Sequence, residues 1–208
     1  MIRPDGIAGV AFGEAADGDP RSDPEARRRF ADAVGVSDGW AWLRQVHGAR
    51  VVRASAPGLL GSADAAFTTT SGLPLVVATA DCYPVVLIAE GGVGIAHAGW
   101  RGAAAGVVDA LRVAMEQADL PPKLAAIGPG IGPCCFEVGP EVAAAFPDEA
   151  AGTAWGTPSV DLVASISRSL DGIEVWRSGM CTMSDSGFHS FRRDRTTARQ
   201  GSVAWLAG

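Results

Sequence analysis

The chain has 208 residues, 48% of them apolar and 19% charged, with a net charge of −6. These figures exclude a disordered chain, and the acidic balance excludes a nucleic-acid partner held by phosphate contacts. No apolar run approaches the roughly 20 residues of a membrane-spanning helix, and "MIRPDGIAG" lacks the basic-then-apolar layout of a secretory signal, so the expectation is one cytoplasmic domain over residues 1–208, monomeric and without a membrane partner.

In chain order, residues 6–12, "GIAGVAF", read as a strand. Residues 22–35 read as a helix, with Ser22 or Asp23 as its cap, Pro24 in its first turn and Gly35 at its end. Strand-like runs follow at 40–46 and 49–54, on either side of His47 and Gly48. Residues 73–79 and 84–90 are apolar and β-branched at buried-strand length, and 92–98 is a further strand. Residues 101–118 carry Val107, Val108, Leu111 and Met115 at helical spacing. A strand at 123–129 runs into the loop "GPGIGPCC". Short helices are expected at 139–146 and at 161–170, the second capped by Asp161. Strands at 173–178 and 201–207 close the chain. Several adjacent strands can be joined by hairpins, which points to a mixed or largely antiparallel α+β arrangement rather than a doubly wound parallel sheet. The glycine-rich segments match neither a P-loop nor a dinucleotide fingerprint.

Four cysteines occur, Cys82, Cys134, Cys135 and Cys181. Two are adjacent and no secretory signal precedes them, so thiols are expected rather than a disulfide framework. Cys134 and Cys135 read as packing residues. Three loops that end apolar strands each offer a metal ligand: His47 in "RQVHG", Cys82 in "TADCYP" and His97 in "IAHAGW". Two imidazoles and a thiolate are the kind of set that leaves a catalytic zinc one open position. Their sequence separation is too wide for a zinc finger, and a packed His97, an exposed His47 and an inert thiol fit the spacing equally.

Around these three, Asp81 precedes the thiol and either supports the site or caps its own turn. Arg101 opens a helix, where guanidinium and helix terminus together suit an anion; a solvated first-turn arginine is the alternative. Arg44 and Gln45 alternate into the same loop as His47. "SFRRDRTTAR" concentrates Arg192, Arg193, Arg195 and Arg199 in an otherwise acidic chain, a candidate phosphate site or a solvated face. His189 reads as loop packing, and Glu137 as a cap for the helix near Pro140.

Five blocks, "RQVHGARVV", "ADAAFTTTSGLPLVVATADCYPVVL", "GIAHAGWRGAAAGVV", "IGPGIGPCCFEVG" and "SFRRDRTTARQGS", resemble in order the motifs of the YfiH-like laccase-domain family, formerly called multicopper polyphenol oxidases. The resemblance covers about residues 40 to 206. It implies a four-layer αββα sandwich of mixed sheets, with zinc as cofactor on His47, Cys82 and His97. It implies purine nucleoside phosphorolysis, with adenosine deamination in the same site, or an editing role on peptidoglycan precursors. Asp81 and Arg101 are then the catalytic candidates. Arg44, Gln45, Arg192 and Arg193 are the candidates for holding purine nucleoside and phosphate. A metal-free cysteine hydrolase using Cys82 and His97 is the remaining alternative.

Two departures stand out. "VAFGEAADGDP" is short and lacks the arginine of the family's longer glycine-rich segment, which implies a differently built pocket wall. Phe191 and Ala198 stand where the family carries Tyr and Gly. Composition also tests the older name: the chain has only three histidines, too few for a multicopper cluster built on imidazole ligands.

Overall fold

A computed structural model describes residues 1–207. The first elements are β1 (Val10–Phe12), α1 (Pro24–Val34), β2 (Ala41–Arg44), β3 (Val51–Arg53), β4 (Gly58–Ser62) and β5 (Ala65–Thr68). Next come β6 (Leu75–Thr79), β7 (Tyr83–Ala89), β8 (Gly92–Ala98), α2 (Trp100–Ala104), α3 (Val107–Glu116) and β9 (Leu124–Ile127). The chain continues through α4 (Pro140–Ala145), β10 (Ala150–Gly152), β11 (Pro158–Val160), α5 (Leu162–Arg168), β12 (Glu174–Arg177), α6 (Phe191–Asp194) and β13 (Gln200–Ala204).

Two mixed sheets carry the fold. One has the order β1-β13-β6-β2-β4 and the other β12-β9-β7-β8-β5-β3, with β10 and β11 forming a separate hairpin. In the first, β13 is antiparallel to β1 and β6, whereas β2 is parallel to β6 and β4. In the second, β7 and β8 pair as an antiparallel hairpin, and parallel pairs lie at both edges.

Side-chain alternation explains the layering, because neighbouring residues of a strand face opposite ways. Leu75 and Val77 of β6 meet Val86 of β7 and Ile95 of β8 between the sheets. Val76, on the other face of β6, packs with Phe30 and Val34 of α1. Val85 and Leu87 of β7 point outward to Leu111 and Met115 of α3 and to Ile166 of α5. Helix, sheet, sheet and helix thus stack as a mixed four-layer αββα sandwich, as the resemblance implied. Strands buried on both faces read as continuous apolar runs, which is why 84–90 and 92–98 were legible.

Asp23 accepts from the Glu25 N–H and Gly35 closes α1 in the left-handed conformation. Asp161 likewise caps α5, accepting from the Ala164 N–H. The helix expected over 101–118 is instead two, broken where Gly106 takes φ 76°. The break lets α3 lie along β8 while α2 turns over the strand ends. A Cβ on Gly102 would sit 3.2 Å from the Gly48 carbonyl oxygen and 3.3 Å from that of His97, so a side chain there would push α2 off the strand ends by a few tenths of an ångström. Glu137 does not cap α4: that helix starts at Gly139 without a side-chain cap, and Glu137 accepts from the Trp155 indole instead.

Leu111 lies against the backbone of Gly94 on β8, where a Cβ would come within 2.9 Å of its Cδ1. A sheet backbone cannot collapse into a void, so Leu111→Ala is expected to cost about 2–5 kcal/mol. Chemical denaturation checks this: the midpoint falls while the slope is unchanged.

Candidate active site

The register of two strand pairs assembles the site. Strand β7 pairs with β8 so that Pro84 faces His97 and Tyr83 faces Ala98. One residue further, Cys82 comes opposite Gly99, and a Cβ on Gly99 would lie 2.8 Å from the Cys82 Sγ and 3.0 Å from His47 Cδ2. Strand β5 pairs with β8 with Ala65 facing Ala96. The preceding residue, Asp64, therefore meets His97, whose N–H donates to the Asp64 carbonyl at 2.7 Å.

Asp64 is fully buried. Its Oδ1 is 2.8 Å from Nδ1 of His97. Its carboxylate also accepts from the backbone N–H of Val46, His47 and Gly48, at 3.1, 2.9 and 2.7 Å. Three successive N–H groups around one carboxylate form an anion-binding nest, and His47 sits in it at φ 60°. Burial pushes the Asp64 carboxyl up, but the His97 and backbone hydrogen bonds outweigh it and hold the group below the usual carboxylate range.

The ligand atoms of His47, Cys82 and His97 all lie within 4.8 Å of one another. The two imidazoles meet edge to face with centroids 4.7 Å apart. With Nδ1 of His97 engaged by Asp64, its Nε2 is left for the shared point, the arrangement in which a carboxylate orients a ligating histidine. The borderline donors, the space that a Cβ on Gly99 would fill and the carboxylate behind His97 together fit a zinc-like cation. Burial pushes the Cys82 thiol up, but hydrogen bonds from His47 and His97 reverse this and bring it to about 6. Burial pulls His97 down, and its bonds to Asp64 and Cys82 raise it to about 9.

These three residues form part of the wall of a cavity of about 590 Å³. Arg44, Gln45, Asp81, Arg192, Phe136 and Phe191 also line it, together with Arg21 and Arg199. Gln45 lines the cavity but spends its amide on the backbone of Ala78, donating and accepting at 2.9 Å, which continues the pairing of β2 with β6. Asp81, at φ 84°, accepts from the Thr182 hydroxyl at 2.8 Å and from the Arg192 N–H at 2.7 Å. Both of its carboxylate oxygens are thus engaged within the wall of the cavity. Arg192 also donates to the Glu137 carbonyl and lies over the Phe136 ring at 5.4 Å.

Two expected residues are not brought to the cavity. Arg101 is exposed and stacks over its neighbour Trp100 at 4.2 Å, outside the lining; α2 has only five residues and its start points no long dipole at the site. Arg193 spends its guanidinium on the carbonyls of Thr182, Met183, Asp185 and Phe188 and on the Asp194 carboxylate, so it organises the loop before α6. Conversely, Arg21 lies one residue beyond the stretch expected to lack an arginine. It pairs with Asp19 at 2.7 Å and lines the cavity. Asp19 also accepts from the Arg199 N–H at 3.0 Å, tying the two arginine-bearing segments together. Burial, and then the charge of Arg21, lower the Arg199 pKa from its ordinary value.

Residues 6–207 match the family described as Multi-copper polyphenol oxidoreductase laccase. Over 202 residues the chain is 38% identical to a Xylella fastidiosa protein named purine nucleoside phosphorylase, covering 86% of this chain and 77% of that one. A Streptomyces coelicolor protein of the same name is 38% identical over 221 residues, covering 97% and 91%. The crystal structure of Bacillus licheniformis hypothetical protein YfiH superposes with a TM-score of 0.80 at 26% identity, covering 88% of this chain and 80% of that one. Joined to the site geometry, these matches show that the chain belongs to the multi-copper polyphenol oxidoreductase laccase family, in its YfiH-like form.

Proposed function

We propose that this chain is a purine nucleoside phosphorylase that uses zinc on His47, Cys82 and His97 and deaminates adenosine in the same cavity. The observation that carries the reading is the meeting, in one cavity, of a metal-competent His, Cys, His set with four arginines, Arg21, Arg44, Arg192 and Arg199. The names of the relatives point the same way.

Zinc, when bound, supplies Lewis-acid charge at the cavity wall. The chain's own residues supply the rest. Phosphorolysis needs an anion held beside the ribose, and Arg21 and Arg199 are close enough for the charge of one to lower the pKa of the other. An anion between them relieves that repulsion and gains charge-assisted hydrogen bonds. Arg192 is anchored at one nitrogen by the Glu137 carbonyl, which leaves its fork fixed in direction for a second anion contact. Phe136 and Phe191 provide apolar faces suited to a purine. Asp81 keeps α6 docked, so Arg192 and Phe191 stay in the wall.

A metal-free cysteine hydrolase is the second reading, and one observation favours it: the low Cys82 and raised His97 describe a thiolate–imidazolium pair. Metal content separates the two. In the zinc reading, elemental analysis shows that Cys82→Ala loses one zinc equivalent, together with phosphorolysis and deamination. Activity that survives removal of all metal yet is lost in Cys82→Ala favours the thiol hydrolase.

Asp64→Asn removes the charge that orients His97 and organises the His47 turn. Partners of ligating histidines typically contribute 10–100-fold to metal affinity or activity, so chelator competition is expected to show zinc held roughly 10–100-fold more weakly. The phosphate KM is expected to stay near that of the parent protein.

Arg192→Ala and Arg199→Ala each remove a charge-assisted contact of about 1.5–3 kcal/mol, or roughly 10- to 150-fold. The expected loss is in kcat/KM for phosphate, with deamination of adenosine less affected because it consumes water. Arg101→Ala, outside the cavity, is expected to change neither. Steady-state kinetics following adenine and inosine separately checks the split; equal losses in both reactions overturn the assignment.

A further inference from the structure

A second group of metal-competent side chains lies outside the cavity described above. Cys134, Cys135 and Cys181 bring their three Sγ atoms within 4.8 Å of one another. None is in a disulfide. The sulfurs of Cys134 and Cys135 are 3.2 Å apart. The Gly132 N–H donates to the Cys181 Sγ, also at 3.2 Å.

The backbone builds this cluster from two distant segments. The N–H groups of Cys135 and Phe136 both donate to the Gly132 carbonyl at 3.0 Å, a tight turn that brings the adjacent thiols together. Cys181 reaches them through a parallel bridge to Gly130, with the Thr182 N–H donating to the Gly130 carbonyl at 3.0 Å. Gly132 lies at the centre, where a Cβ would be in van der Waals contact with the Cys181 Cβ at 3.4 Å and the Cys134 Sγ at 3.5 Å. Cys135 is buried, whereas Cys134 and Cys181 are half-exposed and line a cavity of about 370 Å³. The cluster is therefore accessible from one side and closed on the other.

The donor set is all sulfur, without imidazole or carboxylate. Soft thiolates select d10 cations such as Cu(I) and Zn(II) over hard, oxygen-seeking ions. A metal–sulfur bond of about 2.3 Å in a trigonal plane sets sulfurs ~4 Å apart, within the span of this cluster once Cys134 and Cys135 part by less than about 1 Å. We propose that Cys134, Cys135 and Cys181 form a second, all-thiolate metal site that takes a thiophilic d10 cation: Cu(I) in three-coordination, or Zn(II) with water as its fourth ligand. Each sulfur–metal bond forms as its thiol proton leaves to solvent, and no electron transfer is involved. The site is separate from His47, Cys82 and His97, although both border the loop from Gly128 to Phe136.

The test removes the first site and asks what remains. Full-length protein carrying His47→Ala and Cys82→Ser is stripped of metal, reduced, and titrated without oxygen, with Zn(II) in one arm and Cu(I) in the other. The expected result is one equivalent bound in at least one arm, with thiolate-to-metal charge-transfer absorption. That equivalent is lost on adding Cys181→Ser or Cys134→Ser, both at half-exposed positions. Retention of only one cation identifies which of the two the site takes. In the parent protein, bound metal is expected to shield Cys134, Cys135 and Cys181 from alkylation, as mapped by mass spectrometry. No binding in either arm, binding that survives Cys181→Ser, or unshielded thiols in the metal-loaded parent overturns the proposal.

Discussion

The site depends on one buried charge. Asp64 is fully enclosed, and an unpaired carboxylate there would cost several kcal/mol. It is stabilised by three backbone N–H groups from one loop and an imidazole from another strand. Those same bonds define the site. The loop after β2 must curl so that its N–H groups converge, which forces His47 into the left-handed region and projects its ring towards Cys82. The imidazole of His97 must present Nδ1 to the carboxylate, which leaves Nε2 for the shared point. A single interaction therefore sets the direction of two of the three candidate ligands. The third, Cys82, is placed by the register of the β7–β8 hairpin.

Asp81 plays a matching part on the other wall. It also lies at positive φ, and its carboxylate holds the Thr182 hydroxyl and the first turn of α6. Its own carbonyl accepts from the Ile131 N–H at 2.8 Å. Ile131 and the two ends of the stretch from Thr182 to Arg192 are thus gathered on the residue next to the thiol. The two left-handed non-glycine residues at the site, His47 and Asp81, are each held by several hydrogen bonds, the condition under which such local strain persists.

The elements with strong periodicity were legible in the sequence. The strands at 84–90 and 92–98 are buried on both faces, and the caps of α1 and α5 mark their own starts. What escaped reading was set by tertiary contacts. Strands β4 and β5 are built from "GLLGS" and "AAFT", too rich in glycine and alanine to show alternation, and they pair only because β2, β3 and β8 lie beside them. The break at Gly106 looks like a tolerated helix glycine until α2 is seen over the His47 loop. Asp64 stood in the quoted block "ADAAF", between two alanines that are themselves fully buried. A lone carboxylate leading into an apolar strand is a legible signal of a buried, partnered charge. The arginines are the opposite case: composition shows a dense basic run, but only the fold separates Arg192 and Arg199, which line the cavity while giving one nitrogen to carbonyls, from Arg193, whose guanidinium is taken up by four carbonyls and Asp194.

The positions at which the resemblance implied departures are held by neighbouring residues. Phe191 has no hydroxyl to offer, yet the guanidinium groups of Arg195 and Arg199 lie 5.6 and 6.0 Å from its ring centroid. A cation over an aromatic face holds an arginine without a phenol, and the ring still lines the cavity. At Ala198 the lost glycine would matter if the loop turned through positive φ there. It does not: the left-handed residue of this segment is Arg195, which ends α6, and the Ala198 N–H is held by the Thr196 hydroxyl at 3.0 Å. Just beyond the N-terminal stretch, Asp19 binds both Arg21 and the backbone of Arg199. One carboxylate thus fastens the N-terminal wall to the C-terminal one, and both arginines remain at the cavity.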